Sequence, residues 1–172
     1  MNIKTKNNLM EAFAGESQAN RKYLAFANKA DQEGYPGIAK LFRAAAAAET
    51  VHAHAHLRIL EGIKTTEENL KEAISGETHE FASMYPKMIE EAKMEGETAA
   101  ERYFIFTNKV EKIHADLYKE ALDNLDNFPV KDYYVCSVCG YTVADEAPDR
   151  CPVCGALKKA FNKIGGMCKI DF

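Results

Sequence analysis

The feature that most constrains this chain is a Glu-x-x-His motif that occurs twice, 62 residues apart. The two copies are Glu49–His52 and Glu111–His114, and each lies in an alanine- and lysine-containing stretch without glycine or proline. In an α-helix, residues three apart lie on one face, about one turn from each other. Each copy can therefore direct one carboxylate and one imidazole to the same point, provided that the segment is helical.

The first 126 residues have the composition and periodicity of helices. Alanine, glutamate and lysine dominate, and apolar residues recur at helical spacing, as in Leu9–Phe13 and Leu41–Ala45. Gly34–Gly37, Gly62–Asn69 and Glu95–Glu97 interrupt this pattern. These breaks predict four helices, near residues 5–33, 37–61, 68–95 and 97–126.

Individual residues refine the helix boundaries. Pro36 is well placed to begin the second helix, and Thr65 or Thr66 to cap the third. Pro86 falls inside the third helix, where we expect it to kink or divide the helix, because proline lacks a backbone N–H and crowds the preceding turn. Asn127–Pro129 ends the helical region, so we place a domain boundary near residue 130.

The helical region also repeats itself. Gly15-Glu16 matches Gly76-Glu77 at an offset of 61 residues, and the five residues from Glu49 match those from Glu111 at an offset of 62. Phe42 matches Phe104 at the same offset of 62. Because the shared positions include the polar ones, we interpret the region as two similar helix pairs that build one four-helix bundle.

The carboxylates of each pair are expected at one level. Glu16 and Glu49 are almost equidistant from the turn at 34–37, so in antiparallel helices they meet within about one helical turn. Glu77 and Glu111 stand in the same relation to the turn at 95–97, and Glu80 shares the face of Glu77. The inward-facing set is Glu16, Glu49, His52, Glu77, Glu80, Glu111 and His114.

Such a set predicts a metal centre. Burying an uncompensated ionised group costs on the order of several kcal/mol, and two metal ions would remove that cost. Two-metal carboxylate bundles combine a Glu from each of two helices with a Glu-x-x-His motif from each of the other two. Carboxylate and imidazole ligands with open positions suit iron or manganese.

Four further residues near the motifs are weaker candidates. His54 and His79 lie two positions from a predicted ligand, so they point away from it and are interpreted as surface residues. His56 and Tyr23 follow Glu49 and Glu16 by seven residues, roughly 10 Å along the helix axis. This distance is too large for either residue to bind the same metal ion as the glutamate. We expect each of them either to pack in the core or to contact a metal ligand.

The cysteines predict a second metal site. All five lie at Cys136 or later, and two Cys-x-x-Cys-Gly units, Cys136–Gly140 and Cys151–Gly155, are separated by a spacing typical of one tetrahedral four-sulfur site. Short strands are predicted at Tyr133–Val135 and Tyr141–Val143, around the first unit. The sequence leaves zinc and a single iron open, although a redox-active iron makes more sense beside a two-iron bundle. Cys168 lies outside the pattern and is expected to be a free thiol without a role.

Charge and hydropathy exclude several classes of function. The net charge is −4 and the pI is about 5.8, without a basic patch, so nucleic acid and anionic membranes are not expected as partners. The N-terminus has no apolar stretch typical of a signal peptide, and no run of 18 apolar residues occurs. We therefore expect a cytoplasmic protein.

These motifs together resemble those of rubrerythrins along essentially the whole chain. The fold class implied is an all-α, ferritin-like four-helix bundle at residues 1–130, followed by a small rubredoxin-like β and cysteine-knuckle domain at 131–172. The matching segments are Ala14–Ser17, Ala48–Ala53, Gly76–Glu80, Met84–Pro86, Glu111–Ala115, Tyr134–Tyr141, Asp145–Pro148 and Cys151–Gly155.

The resemblance also implies a reaction, which is the reduction of hydrogen peroxide to water at two irons. In such proteins Glu80 and His52 would exchange as ligands of one iron when its oxidation state changes, and Tyr85 would donate a hydrogen bond beside the site. Glu49 and Glu111 would bridge the irons, with Glu16 and Glu77 as terminal ligands. A third iron, replaceable by zinc, would be bound by Cys136, Cys139, Cys151 and Cys154.

The implied partners are an electron donor and a second copy of the chain. Reduced rubredoxin or an NAD(P)H-dependent reductase would supply electrons to a homodimer or larger homo-oligomer, in which one subunit's four-cysteine iron approaches the other's di-iron site. Two alternatives remain. Ferroxidase or oxidase activity would fit the bundle alone, and a colourless zinc-ribbon scaffold would fit the cysteines without redox chemistry.

Overall fold

A computed structural model describes residues 1–165 of the 172-residue chain, so Cys168 lies outside the described residues. The polypeptide forms long helices followed by a small β module. The helices are α1 (Ile3–Gln32), α2 (Pro36–Ile59), α3 (Thr66–His79), α4 (Tyr85–Glu95) and α5 (Thr98–Asp123), with a π-helical segment (Glu80–Met84) between α3 and α4 and a 3₁₀ turn (Leu125–Asn127) after α5. The four predicted helical stretches are thus confirmed, with the third one divided.

The helix ends follow the local sequence. Pro36 is the first residue of α2, where its missing N–H is no loss. Thr65 caps α3 in a capping box, because its hydroxyl accepts from the backbone N–H of Glu68 while the Glu68 carboxylate accepts from the backbone N–H of Thr65. Gly34 and Gly96 have positive φ angles of 81° and 76° and end the helices before them.

Pro86 divides the third predicted helix, as expected, and the division takes the form of a π turn. The backbone N–H of Tyr85 bonds to the carbonyl of Glu80, five residues earlier. Proline lacks an N–H and its ring crowds the carbonyl four residues before it, so a wider turn just ahead of Pro86 relieves both problems.

The described chain divides into two compact units, the first of residues 1–64 and the second beginning at Thr65. In the first unit α1 packs against α2. Its buried side chains are small, since they comprise five alanines and Asn20. The Asn20 amide donates to the carbonyl of Ala46 at 2.7 Å and to the hydroxyl of Thr50 at 2.8 Å, which fixes the register of the two helices.

In the second unit α3 and α4 both pack against α5, and the β module follows. The module has three antiparallel strands in the order β2-β1-β3: β1 (Tyr133–Cys136), β2 (Thr142–Ala144) and β3 (Phe161–Lys163). The first two strands were predicted from the sequence, whereas β3 was not. Val110 of α5 is buried together with three cysteines, so the module shares a small core with α5.

These elements are those of the all-α, ferritin-like class of four-helix bundle with a C-terminal rubredoxin-like module, which confirms the predicted fold class. The domain boundary near residue 130 stays a prediction. None of the helices in residues 1–165 has the length and apolar character needed to cross a bilayer.

Candidate metal centres

The first unit holds a cluster of three ligand-type side chains, Glu16 from α1 and Glu49 and His52 from α2. One ligand atom from each lies within 4.8 Å of the others. The Nδ1 atom of His52 is 2.9 Å from Oε2 of Glu49 and 3.7 Å from Oε1 of Glu16. The antiparallel pairing of α1 with α2 therefore brings both carboxylates to the same imidazole nitrogen.

The second unit holds an equivalent cluster of Glu77 from α3 and Glu111 and His114 from α5. The Nδ1 atom of His114 is 2.8 Å from Oε2 of Glu111 and 3.8 Å from Oε1 of Glu77. These distances reproduce those of the first cluster within about 0.1 Å. The internal repeat of the sequence is therefore a repeat of ligand geometry, with Nδ1 facing the carboxylates in both halves.

The charges of the second cluster fit a bound cation. Burial raises the pKa of Glu77, and the negative charge of Glu111 raises it further. Two carboxylates that repel each other at a partly buried position are stabilised by a metal ion placed between them. The donor set of two carboxylates and an imidazole suits iron or manganese.

The hydrogen bonds of His114 point to the same conclusion. Its Nε2 atom lies 3.1 Å from the hydroxyl of Thr142, and that hydroxyl donates its single proton to the carbonyl of Gly140 at 3.1 Å. When the Thr142 hydroxyl donates to Gly140, the tautomer that fits the contact carries the imidazole proton on Nε2 and has a lone pair on Nδ1. In that tautomer the Nδ1 lone pair faces Glu111 and Glu77, an orientation that suits a metal ligand.

Glu80 stands apart from both clusters. It is the first residue of the π segment and is half-buried. Burial raises the pKa of its carboxyl group, and the negative charge of Glu77 raises it further. Glu80 is therefore close enough to Glu77 to be influenced electrostatically, without belonging to the group of three.

Two tyrosines of the second unit border this cluster. Burial raises the pKa of Tyr85, and the negative charges of Glu80 and Glu111 raise it further. The pKa of Tyr118 is raised by burial and then by Glu77 and Glu111. Both phenols are therefore held protonated beside carboxylates, where they can act as hydrogen-bond donors.

The weaker candidates are distributed as follows. His79 is exposed, as predicted, but the interpretation of His54 as a surface residue is wrong, because it is half-buried in a pocket between α1 and α2. His56 is half-buried, and its Nδ1 atom has no hydrogen-bond partner among residues 1–165. The ring of Tyr23 packs 6.2 Å from that of Phe42, which is an ordinary core contact.

The four cysteines of the knuckles form the remaining cluster. The Sγ atoms of Cys136 and Cys154 are 3.7 Å apart, and those of Cys139 and Cys151 are 3.5 Å apart. A tetrahedral site with metal–sulfur bonds of about 2.3 Å requires sulfur–sulfur distances of about 3.8 Å. The distances thus fit one metal ion and exclude disulfides, in which the sulfurs are about 2.05 Å apart.

The backbone of the two knuckles is built in the same way. The N–H of Cys136 bonds to the carbonyl of Tyr141, and the N–H of Gly140 bonds back to Cys136. Cys151 and Gly155 make the equivalent bonds, and both glycines have positive φ angles, of 83° and 78°. Glycine is favoured at these positions because other side chains rarely adopt a left-handed backbone.

Thr142 and Tyr118 were not predicted from the sequence as site residues. Thr142 had no signal of its own, since its role depends on the packing of β2 against α5. Tyr118 follows Glu111 by seven residues, as His56 follows Glu49, and the repeat offset of 62 aligns the two positions. That alignment was a usable signal for Tyr118.

The family models match most of the chain. The model described as rubrerythrin matches residues 7–122, and that of the rubrerythrin rubredoxin-like domain matches residues 134–162. The chain belongs to the rubrerythrin family. Membership of this family supports iron binding and an oxidoreductase role in oxidative-stress defence.

Individual relatives agree over nearly their whole length. Rubrerythrin-2 of Clostridium acetobutylicum is 36% identical, covering 93% of this chain and 96% of that protein. Nigerythrin of Nitratidesulfovibrio vulgaris is 33% identical, covering 91% and 85%. A solved structure of the fully reduced, all-ferrous state of nigerythrin matches with a TM-score of 0.56 at 33% identity, covering 93% of this chain and 86% of that one.

Proposed function

We propose that this chain is a non-haem iron peroxidase that reduces hydrogen peroxide to water at a di-iron carboxylate site, with electrons relayed through a four-cysteine iron site. The observation that carries the proposal is the contact between His114 and Thr142. It joins a carboxylate–histidine cluster to the cysteine module within one compact unit. An electron-transfer module belongs next to a centre that must be re-reduced after each turnover.

The proposed di-iron site combines the two clusters of three residues. Each cluster has two carboxylates and one imidazole in the same geometry, and the ligand set of two-metal carboxylate bundles is the sum of two such clusters. Glu16, Glu49 and His52 would hold the metal pair together with Glu77, Glu111 and His114, with the Nδ1 atom of each histidine facing the carboxylates.

Iron is the metal proposed for all three positions. The donor sets suit iron, and a related nigerythrin has been described in an all-ferrous state. When bound, the iron pair supplies the two electrons that, with two protons, convert one molecule of hydrogen peroxide into two of water.

Residues of the chain would supply protons and adapt to the change in charge. Tyr85 remains protonated because burial and the neighbouring carboxylates raise its pKa, so its hydroxyl is available as a donor to a bound peroxide. Glu80 sits on a wide π turn next to Glu77 and can approach or leave the site. His52 has a side chain that is 54% exposed, which leaves it room to move as Glu80 exchanges with it.

Electrons would enter through the cysteine module. Cys139 is followed by Gly140, whose carbonyl accepts from Thr142, which in turn contacts His114. This is a short path of covalent and hydrogen bonds from a cysteine sulfur to a proposed iron ligand of the same chain, and it differs from the approach between subunits that the resemblance implies. The proposed electron donor is reduced rubredoxin or an NAD(P)H-dependent reductase, and the proposed substrate is hydrogen peroxide. A second copy of the chain is the proposed structural partner. A cytoplasmic location stays a prediction.

Stopped-flow and steady-state assays of iron-loaded protein test this function. The reduced protein should be oxidised faster by hydrogen peroxide than by oxygen, and it should turn over peroxide when a reductase and NADH are present. If the protein instead consumes ferrous iron or oxygen catalytically and shows no preference for peroxide, ferroxidase or oxidase activity is favoured. A colourless, zinc-containing protein without turnover would favour the zinc-ribbon scaffold.

A further inference from the structure

The connection between α2 and α3 is too short for a ferritin-like bundle made from a single chain. Ferritin-like bundles have one long crossover, which lets the helices before and after it run in the same direction. Here only residues 60–65 separate Ile59, the end of α2, from Thr66, the start of α3. The length of that connection decides which chain can supply the second helix pair.

The distance to be crossed follows from the positions of the ligands. Glu49 lies ten residues before the end of α2, and Glu77 lies eleven residues after the start of α3. If both glutamates bind the same metal pair and the two helices are parallel, the connection must run back about 30 Å along the bundle axis. A fully extended chain from Ile59 to Thr66 spans at most about 25 Å.

The connection is in fact far from extended. Glu61 has a positive φ of 57°, and the N–H groups of Glu61 and Gly62 bond back to Arg58 and Leu57. At the other end Thr65 is fixed by its capping box. Only Ile63 and Lys64 lie between these two anchored ends, so the crossover cannot be made within one chain.

One face of α2, called here the α2 seam, has the residue pattern of a surface that packs against another helix. Seven residues follow the alternating spacing of three and four that is typical of helices packed in bundles. Ile38, Leu41 and Ile59 are 50%, 69% and 55% exposed, and His52 is the fifth residue of the row. This α2 seam consists of Ile38, Leu41, Ala45, Ala48, His52, Ala55 and Ile59.

The core of the first unit is small. Its fully buried side chains are alanines and Asn20, and the packed rings of Tyr23 and Phe42 are only half-buried, so little apolar area is removed from water. The cluster of Glu16, Glu49 and His52 has only half of the ligands of a two-metal site. A covering helix pair is thus needed both for stability and for metal binding.

We propose that α1 and α2 of one chain complete their bundle with α3, α4 and α5 of a second copy, so that the chain is a helix-exchanged dimer with two equivalent di-iron sites. Each site then takes Glu16, Glu49 and His52 from one protomer and Glu77, Glu111 and His114 from its partner. Exchange of identical elements between protomers is an accessible route to a dimer when the hinge is short. The inference uses the proposed di-iron site only to place Glu49 and Glu77 at one level.

Photo-crosslinking tests the exchange without reference to metal. A benzophenone amino acid replaces Leu41, in the α2 seam, and a matched variant carries it at Lys40, which lies off the seam. The Leu41 variant should give covalent dimers whose crosslinked peptides map to residues 66–123 of the other chain, several-fold more than the Lys40 variant. Crosslinks within one chain, or dimers joined at other segments, would overturn the proposal.

Complementation between defective chains tests the shared site. One variant carries Glu49→Ala and His52→Ala, and the other carries Glu111→Ala and His114→Ala. After the two are unfolded together and refolded at equal ratio, half of the dimers should contain both chains and one intact site, which restores about a quarter of the wild-type di-iron content. The control pairs the first variant with Glu16→Ala, which damages the same unit, and should restore none.

The outcomes separate the two proposals. Wild-type protein that binds two irons in the bundle, with no recovery in the mixed sample, would overturn the exchange and leave the proposed function standing. Wild-type protein that binds no iron pair but still gives seam crosslinks between chains would support the exchange and overturn the di-iron function.

Discussion

The hydroxyl of Thr142, in the β module, lies 3.1 Å from Nε2 of His114, in the middle of α5. This contact favours the tautomer with the proton on Nε2, which leaves the lone pair of Nδ1 facing Glu111 and Glu77. The same residue thereby orients a proposed metal ligand and links α5 to the cysteine module. Side chains that orient metal ligands in this way typically change metal affinity or activity by about 10–100-fold when removed.

Replacement of Thr142 by valine should lower peroxide turnover by roughly tenfold or more, because valine keeps the shape but can neither accept from His114 nor donate to Gly140. Thr142→Ser keeps the hydroxyl and should turn over at close to the parent rate. Rapid-mixing measurement of internal electron transfer checks the cause. Parent-like turnover in the valine variant would show that electrons take another route.

Replacement of Glu80 by alanine should leave two irons bound in the reduced protein, because His52 can serve as the ligand in its place. Turnover should fall by roughly tenfold or more, because the oxidised pair loses an anionic ligand. Iron analysis and a peroxide titration measure the two effects separately. Glu95→Ala, on the exposed end of α4, is the control. Unchanged turnover in the Glu80 variant would contradict the ligand exchange.

Replacement of Tyr85 by phenylalanine removes one hydroxyl beside Glu80 and Glu111 and retains the ring that packs 6.1 Å from Phe104. Helix content and iron binding should therefore be retained, while peroxide reduction slows because a proton donor is lost. Tyr35→Phe, at an exposed position, is the control. A rate for Tyr85→Phe equal to that of the control would exclude Tyr85 from the reaction.

Replacement of Cys139 by serine should damage the four-cysteine site and spare the bundle. Helix content and the iron pair should survive, and a chemically reduced iron pair should still be oxidised by one dose of peroxide. Repeated turnover with a protein donor should collapse, because electrons no longer have a relay. If turnover with the donor persists, the cysteine site is structural. If the single oxidation also fails with two irons bound, the module shapes the active site directly.

The helices and the grouping of the Glu and His side chains could be predicted because helical spacing and a repeat carry that information locally, while the role of these side chains as metal ligands stays a prediction. Glu16 and Glu77 differ by 61 positions, whereas Tyr23 and Tyr85, like Phe42 and Phe104, differ by 62. The π segment at Glu80–Met84 lies where this offset changes, and a π turn holds one more residue than an α turn. The one-residue change in offset thus marked the π turn, although Pro86 alone predicted only a kink or a break.

Features that depend on contacts between distant segments were not accessible in the same way. Thr142 contacts His114 only because β2 packs on α5, which no local pattern indicates. His54 was interpreted as a surface residue from its helical phase, but α1 covers that side of α2. The pairing of β3 (Phe161–Lys163) with β1 likewise depends on how the two Cys-x-x-Cys-Gly units fold together, and not on the strand propensity of these three residues.

A reduced iron pair in the bundle is expected to give its two electrons to hydrogen peroxide while the cysteine site resupplies them. An anaerobic titration of fully reduced, iron-loaded protein with peroxide measures both transfers, with the visible absorption of the ferric four-cysteine site as the indicator. Three ferrous irons per chain should be oxidised by about 1.5 molecules of peroxide, and the red colour should be complete at that point. If almost no peroxide is consumed per chain, or if the red colour develops only when oxygen is added, the proposed peroxide reduction is wrong.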